Sequence, residues 1–124
     1  MAAAPNKRQQ ELALLAQQRR TELQAIAEKI GEVESDADEH RLVIQTLSSV
    51  QEKEPERTCF RLIGGVLVER TVQDILPTLK TTYEGLAKVL VDLAKQYKEK
   101  EVGMREIQQE LEKNGAAQPD ATVR

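Results

Sequence analysis

Few side chains in this sequence could do chemistry, and their spacing tests each one. His40 is the single histidine and Cys59 the single cysteine. A metal site needs several ligands at matched spacing, and a nucleophilic cysteine needs a base held beside it. Neither residue has such a companion nearby in sequence. Cys59 therefore reads as a small packed side chain. His40 falls at a seam position of a heptad pattern, where a polar group sets register or points outward. The pair Gly64-Gly65 lacks the Gly-x-Gly-x-x-Gly spacing and the strand-to-helix context that phosphate binding needs, so it reads as a turn. The run "EVESDADE", Glu32 to Glu39, is acidic enough for a calcium loop. It has no glycine at the sixth position and lies inside the heptads, which makes it a solvated helix face. Lys7, Arg8, Arg19 and Arg20 crowd one end and could steer acidic partners, but ordinary solvation explains them better. "KQYKEKE" is likewise a solvated face, with opposite charges at i,i+3 and i,i+4 spacing. No catalytic residue, cofactor site or metal site is expected.

The composition narrows the class. The chain has 124 residues, enough for one domain over 1–124. Apolar residues make up 40% but aromatics only 2%, so burial must come from Leu, Ile and Val along an extended seam. Charged residues reach 31%, a mix that suits long helices or a coiled coil. A net charge of -3 argues against a nucleic-acid binder, which would show a basic face. No apolar run approaches the roughly 18 residues that span a membrane. The start, "MAAAPNKRQQ", lacks the apolar stretch of a signal peptide. A cytoplasmic location is expected, with the nucleus as a second compartment.

The elements that position these residues follow from periodicity. Leu12, Ala16, Arg19, Leu23, Ile26, Ile30, Val33, Ala37, His40, Ile44 and Leu47 keep alternating four-three spacing, and nine of the eleven are apolar. Sustained over several heptads, that is a coiled-coil pattern. It predicts a first helix over about residues 9–51, ended by Pro55. Gly31 interrupts it at a cost of about 1 kcal/mol relative to Ala. Val72, Leu76, Leu79, Tyr83, Leu86, Leu90, Leu93, Tyr97, Lys100, Met104, Ile107 and Leu111 repeat the spacing, and eleven of these twelve are apolar. They predict a second helix over about 72–113. Thr71 with Asp74 reads as its N-terminal cap, Pro77 as a bend in its first turns, and Asn114-Gly115 as its stop. Residues 114–124 read as a disordered tail. Two helices of near-equal length on a short connection pack antiparallel.

Between them lies "CFRLIGGVLVERT". Two β-type runs flank Gly-Gly, which predicts a hairpin over about 58–70 with a two-residue turn of positive φ. The register then pairs Ile63 with Val66, Leu62 with Leu67, Arg61 with Val68 and Phe60 with Glu69. One face holds Cys59, Arg61, Ile63, Val66 and Val68; the other holds Phe60, Leu62, Leu67 and Glu69. Both are mostly apolar, and a helix pair covers one at most. A lone two-stranded hairpin is marginal in water and has two open edges. Closing the helix pair needs only a few polar residues. The hairpin is therefore expected to be an assembly element, with Cys59, Phe60, Leu62, Ile63, Gly64, Gly65, Val66, Leu67 and Val68 at the joint. A closed ring or barrel of such hairpins would remove the edges.

The stretches "EHRLVIQTL" and "CFRLIGGVLVERTVQDILPTL", and within the second "GGVLVERTV" followed by "LP", resemble the beta-class subunits of prefoldin. The resemblance covers about Glu39 to Leu79; the flanking coils match in pattern and length. It implies an all-α antiparallel two-helix coiled coil with one β-hairpin at the connecting end. It implies a hexamer of two alpha-class and four beta-class subunits, whose hairpins form a β-barrel platform from which the coils extend. It further implies a co-chaperone without catalysis or ATP, which holds unfolded polypeptides such as actin and tubulin at the coil tips and passes them to the cytosolic chaperonin. The tips would lie near residues 5–23 and 97–115, with Leu12, Leu15, Met104, Ile107 and Leu111 as client contacts. Partner positions there weaken to Ala16, Arg19 and Lys100, so the seam is expected to fray. The alternatives stay open: these residues could simply zip the coil to its end, and the chain could be a structural tether or adaptor.

Overall fold

In a computed structural model, residues 6–115 are described. The order of elements is α1 (Lys7–Lys53), β1 (Thr58–Ile63), β2 (Val66–Thr71) and α2 (Val72–Gly115). The fold is two long helices with one two-stranded antiparallel sheet. Among the described residues, no helix is long and apolar enough to cross a membrane.

Helix α1 starts two residues before the heptads suggest, for a local reason. The Asn6 side-chain oxygen accepts the Gln9 amide at 2.7 Å, and the Asn6 amide donates to Gln9 Oε1 at 3.1 Å. This reciprocal capping box satisfies amides that the helix itself leaves free. At the other end the Glu54 amide reaches the Val50 carbonyl at 2.6 Å, and Pro55 prevents continuation. Helix α2 begins where Thr71 Oγ1 accepts the Asp74 amide at 3.2 Å. Its first two amides, of Val72 and Gln73, donate to the Arg57 and Pro55 carbonyls. The short connector is thereby tied to the helix start. α2 continues unbroken past Pro77, because a proline this near the start removes only a single ladder bond. It also extends past the expected stop: Asn114 Nδ2 donates to the Glu110 carbonyl, and residues 114 and 115 are helical. The remainder of the tail expected over 114–124 lies outside the described residues.

The chain divides into two compact units. One comprises residues up to Lys29 and from Leu93 onward; the other is Ile30–Asp92. Within the first, Leu12 and Ala16 of α1 pack on Met104 and Ile107 of α2, with Leu15, Leu23 and Leu111 against them. Arg8 pairs with Glu110 and Glu22 with Lys100, so numbers rise on one helix as they fall on the other. The two stretches run antiparallel. In the second unit the buried residues are Val33 and Ala37 of α1 and Val72, Ile75, Leu76 and Leu79 of α2. Every heptad position named above is buried or half-buried, including polar Arg19, His40 and Lys100. The four-three repeat thus identifies the seam residues in both units.

Candidate functional site

The hairpin of the second unit is the most exposed apolar feature. Its register is the expected one, from Ile63 opposite Val66 to Phe60 opposite Glu69, and extends to Cys59–Arg70 and Thr58–Thr71. Gly64 and Gly65 have φ of 55° and 83°, the pair of positive values that a type I′ turn requires. A side chain at either position would be strained, which is why the sequence places two glycines there.

The two faces of this sheet differ. Cys59, Arg61 and Val68 are half-buried on one side. Arg61 there lines a small crevice with Glu39, His40 and Val43 of α1 and Leu79 of α2, so this side faces the helices. On the other side Phe60, Leu62 and Leu67 are 65%, 67% and 67% exposed. Beside the turn, Ile63 and Val66 also stay exposed. The joint residues expected from the sequence are therefore brought together on one two-stranded sheet, and Phe60, Leu62, Ile63, Val66 and Leu67 are exposed on it. On α1, Leu42 and Val43 are exposed as well, and both fall outside the heptad seam.

The candidate client contacts occupy a different situation in the first unit. Leu12, Met104 and Ile107 are buried, and Leu15 and Leu111 are half-buried beside them. All five come together, in a closed seam. The fraying expected from Arg19 and Lys100 is countered locally, because both cations find the same carboxylate. Glu22 Oε1 takes Arg19 Nη1 at 3.0 Å and Lys100 Nζ at 3.3 Å. Lys100 holds the Glu22 carboxyl below its ordinary range; partial burial opposes this, and Arg19 assists it. Toward the helix ends, Arg8 Nε and Nη2 both donate to Glu110 Oε2, at 3.0 and 2.6 Å. The Arg19–Glu22 spacing was visible in sequence as an i,i+3 pair. The Arg8–Glu110 contact was not, since only the helix register aligns residues so far apart.

His40 is half-buried in the second unit, its Nδ1 at 2.9 Å from the Asp36 carbonyl one turn back. Cys59 is a free, half-buried thiol. Glu32 to Glu39 lie within α1.

Known proteins supply the remaining context. The family model described as prefoldin subunit matches residues 9–117. The "probable prefoldin subunit 2" of Schizosaccharomyces pombe is 46% identical over 110 residues, which are 89% of this chain and 93% of that protein. Prefoldin subunit 2 of Homo sapiens is 40% identical over 90 residues, covering 73% of this chain but only 56% of the human protein. The chain thus matches nearly the whole of one relative and little more than half of the other. The crystal structure of the prefoldin beta subunit from Thermococcus strain KS-1 superposes with a TM-score of 0.78. It covers 96% of this chain and 99% of that one at 18% identity, which speaks to the fold.

Proposed function

The chain belongs to the prefoldin family, and from that premise we propose that it is a non-catalytic holdase subunit of a hetero-hexameric co-chaperone. Its hairpin joins those of other alpha- and beta-class subunits. Its coil end captures unfolded polypeptides, actin and tubulin among them, and the complex delivers them to the cytosolic chaperonin. The work takes place in the cytoplasm and requires no cofactor, nucleic acid or membrane.

One observation carries the reading. Phe60, Leu62 and Leu67 lie bare on a two-stranded sheet, at two-thirds exposure each. Apolar surface of this kind is stabilised by removal from water, at about 25 cal/mol per Å². Exposed and contiguous, it marks a place for another protein. Both open edges of the sheet suit strand addition by a neighbour of the same construction.

The client step requires the closed seam of the first unit to open. Among the described residues, four side chains form its buried cluster, and solvent-exposed ion pairs flank them. Such pairs hold weakly, so separation of the helix ends uncovers Leu12, Met104, Ile107 and their neighbours to a non-native chain. Met104 adapts readily to varied partners. The burial of these same residues favours the second reading, a tether whose coil stays shut. An aggregation assay separates the two. The assembled complex is expected to suppress aggregation of an unrelated denatured protein. Removal of residues 1–20 and 104–124 should abolish suppression and leave assembly intact; if capture survives in hexamers of the truncated chain, the tip assignment is wrong. An assembled complex that never suppresses aggregation favours the tether.

A further inference from the structure

Resting on the hairpin as the joint, we propose that its helix-facing side selects a non-identical subunit that presents carboxylates to Arg61 and Arg70, and rejects a second copy of this chain. The register places Cys59, Arg61, Ile63, Val66, Val68 and Arg70 on one side of the sheet. That side carries two cations and no carboxylate. The hairpin's only acid, Glu69, lies opposite Phe60 on the other side.

The guanidinium of Arg61 makes no hydrogen bond or ion pair among the described residues. Arg61 as a whole is half-buried and lines a crevice with Val43 and Leu79. Glu39 lines the same crevice without coming within ion-pairing distance, and His40 beside it is already engaged with the Asp36 carbonyl. Arg70 finds only the neighbouring Glu69 carbonyl, at 3.3 Å. Water solvates both cations while the hairpin stands alone. A neighbour that covers the sheet removes that water, and an unpaired guanidinium is then costly to bury.

The faces of a sheet are continuous across paired strands, because opposed residues point the same way. A second copy, docked edge to edge with its helices on the same side, would bring its own Arg61 and Arg70 to this face. Like charges would face one another with Glu39 the only acid among the described residues that line the crevice. A strand with Asp or Glu on the matching face completes both pairs instead. Charge complementarity of this kind discriminates between partners that offer similar apolar surface.

The test uses the full chain, alone and with the companion subunits of its complex, followed by sedimentation and native mass spectrometry. R61M/R70M keeps the apolar stems and removes the charges; R61K/R70K keeps the charges. Wild type is expected to self-associate weakly, and more tightly as salt rises, while the mixed complex weakens with salt. R61M/R70M should self-associate at least tenfold more tightly than wild type and join the mixed complex at least tenfold less tightly. R61K/R70K should behave as wild type, which separates charge from packing. Tight self-association of wild type at low salt would overturn the selection. So would a double Met variant indistinguishable from a wild type that joins normally. A wild-type chain that joins no companion at all overturns the joint itself, and the selection with it.

Discussion

Leu12 and Leu62 are the same residue type in opposite circumstances. The first is 2% exposed in a four-residue cluster between two helices; the second is 67% exposed on a hairpin. The difference is one of geometry. A helix offers one apolar stripe, and a single facing helix covers it. A two-stranded sheet has two faces and two edges, and the chain's own helices only partly cover one face. The helical stretch of the first unit is therefore locally satisfied, whereas the sheet of the second is left incomplete. Incompleteness in a chain otherwise so charged is a functional statement.

Disrupting the sheet should have the largest effect. V66D/V68D places carboxylates on the joint and is expected to weaken incorporation into the complex at least a hundredfold, with helix content by circular dichroism nearly unchanged. Full-sized complexes containing the variant would remove the hairpin as the joint.

Truncation at the two leucines should then separate the regions within the isolated chain. Leu12→Ala opens a cavity in the seam and is expected to cost about 2–3 kcal/mol in denaturant unfolding. Leu62→Ala removes an already wet side chain and should stay within about 0.5 kcal/mol. In the complex the order should reverse, with Leu62→Ala the more damaging to assembly. Equal costs in the isolated chain would mean that the hairpin is covered after all.

Smaller effects belong to the helix framework. Thr71→Ala loses the side-chain acceptor for the Asp74 amide and should cost about 1 kcal/mol. Gly31 and Gly85 are helical, and an added Cβ would meet nothing within 4 Å. Gly31→Ala and Gly85→Ala should each stabilise by about 0.5–1 kcal/mol, read as a rise in melting temperature.

The smallest effect concerns the Arg19–Glu22–Lys100 contact. The Glu22 carboxyl titrates below its ordinary value of 4.5 in the folded chain. A depressed carboxylate contributes stability that is full above the unfolded value and is lost as pH falls through the folded one. The first unit should therefore loosen in acid below about 4.5, seen as faster amide exchange near residue 22, and Glu22→Gln should flatten that response.

Much of this was legible in the residues. Every position of the four-three repeat is buried or half-buried, because burial along a coil follows the period; among the described buried residues only Ile75, beside the repeat at the start of α2, falls outside it. The hairpin register follows from Gly64-Gly65, since one turn type fixes every cross-strand pair. The helix limits were less legible. Asn6 and Gln9 form a cap that a search for apolar periodicity passes over, and the Glu110 carbonyl accepts the Asn114 side chain beyond the expected stop. The partner of Arg19 and Lys100 was illegible for a clearer reason. Taken singly they weaken a seam, but the helix register gives them Glu22 in common. Pairings across helices depend on register, which a single helix's pattern does not contain.

The central claim is that the hairpin is covered by other subunits and not by its own chain. Amide exchange over residues 59–69 tests it directly, in the isolated chain and again in the assembled complex. The account predicts fast exchange in the isolated chain and strong protection on assembly, with the seam residues little changed between the two. A monomer that already protects those strands would contradict it.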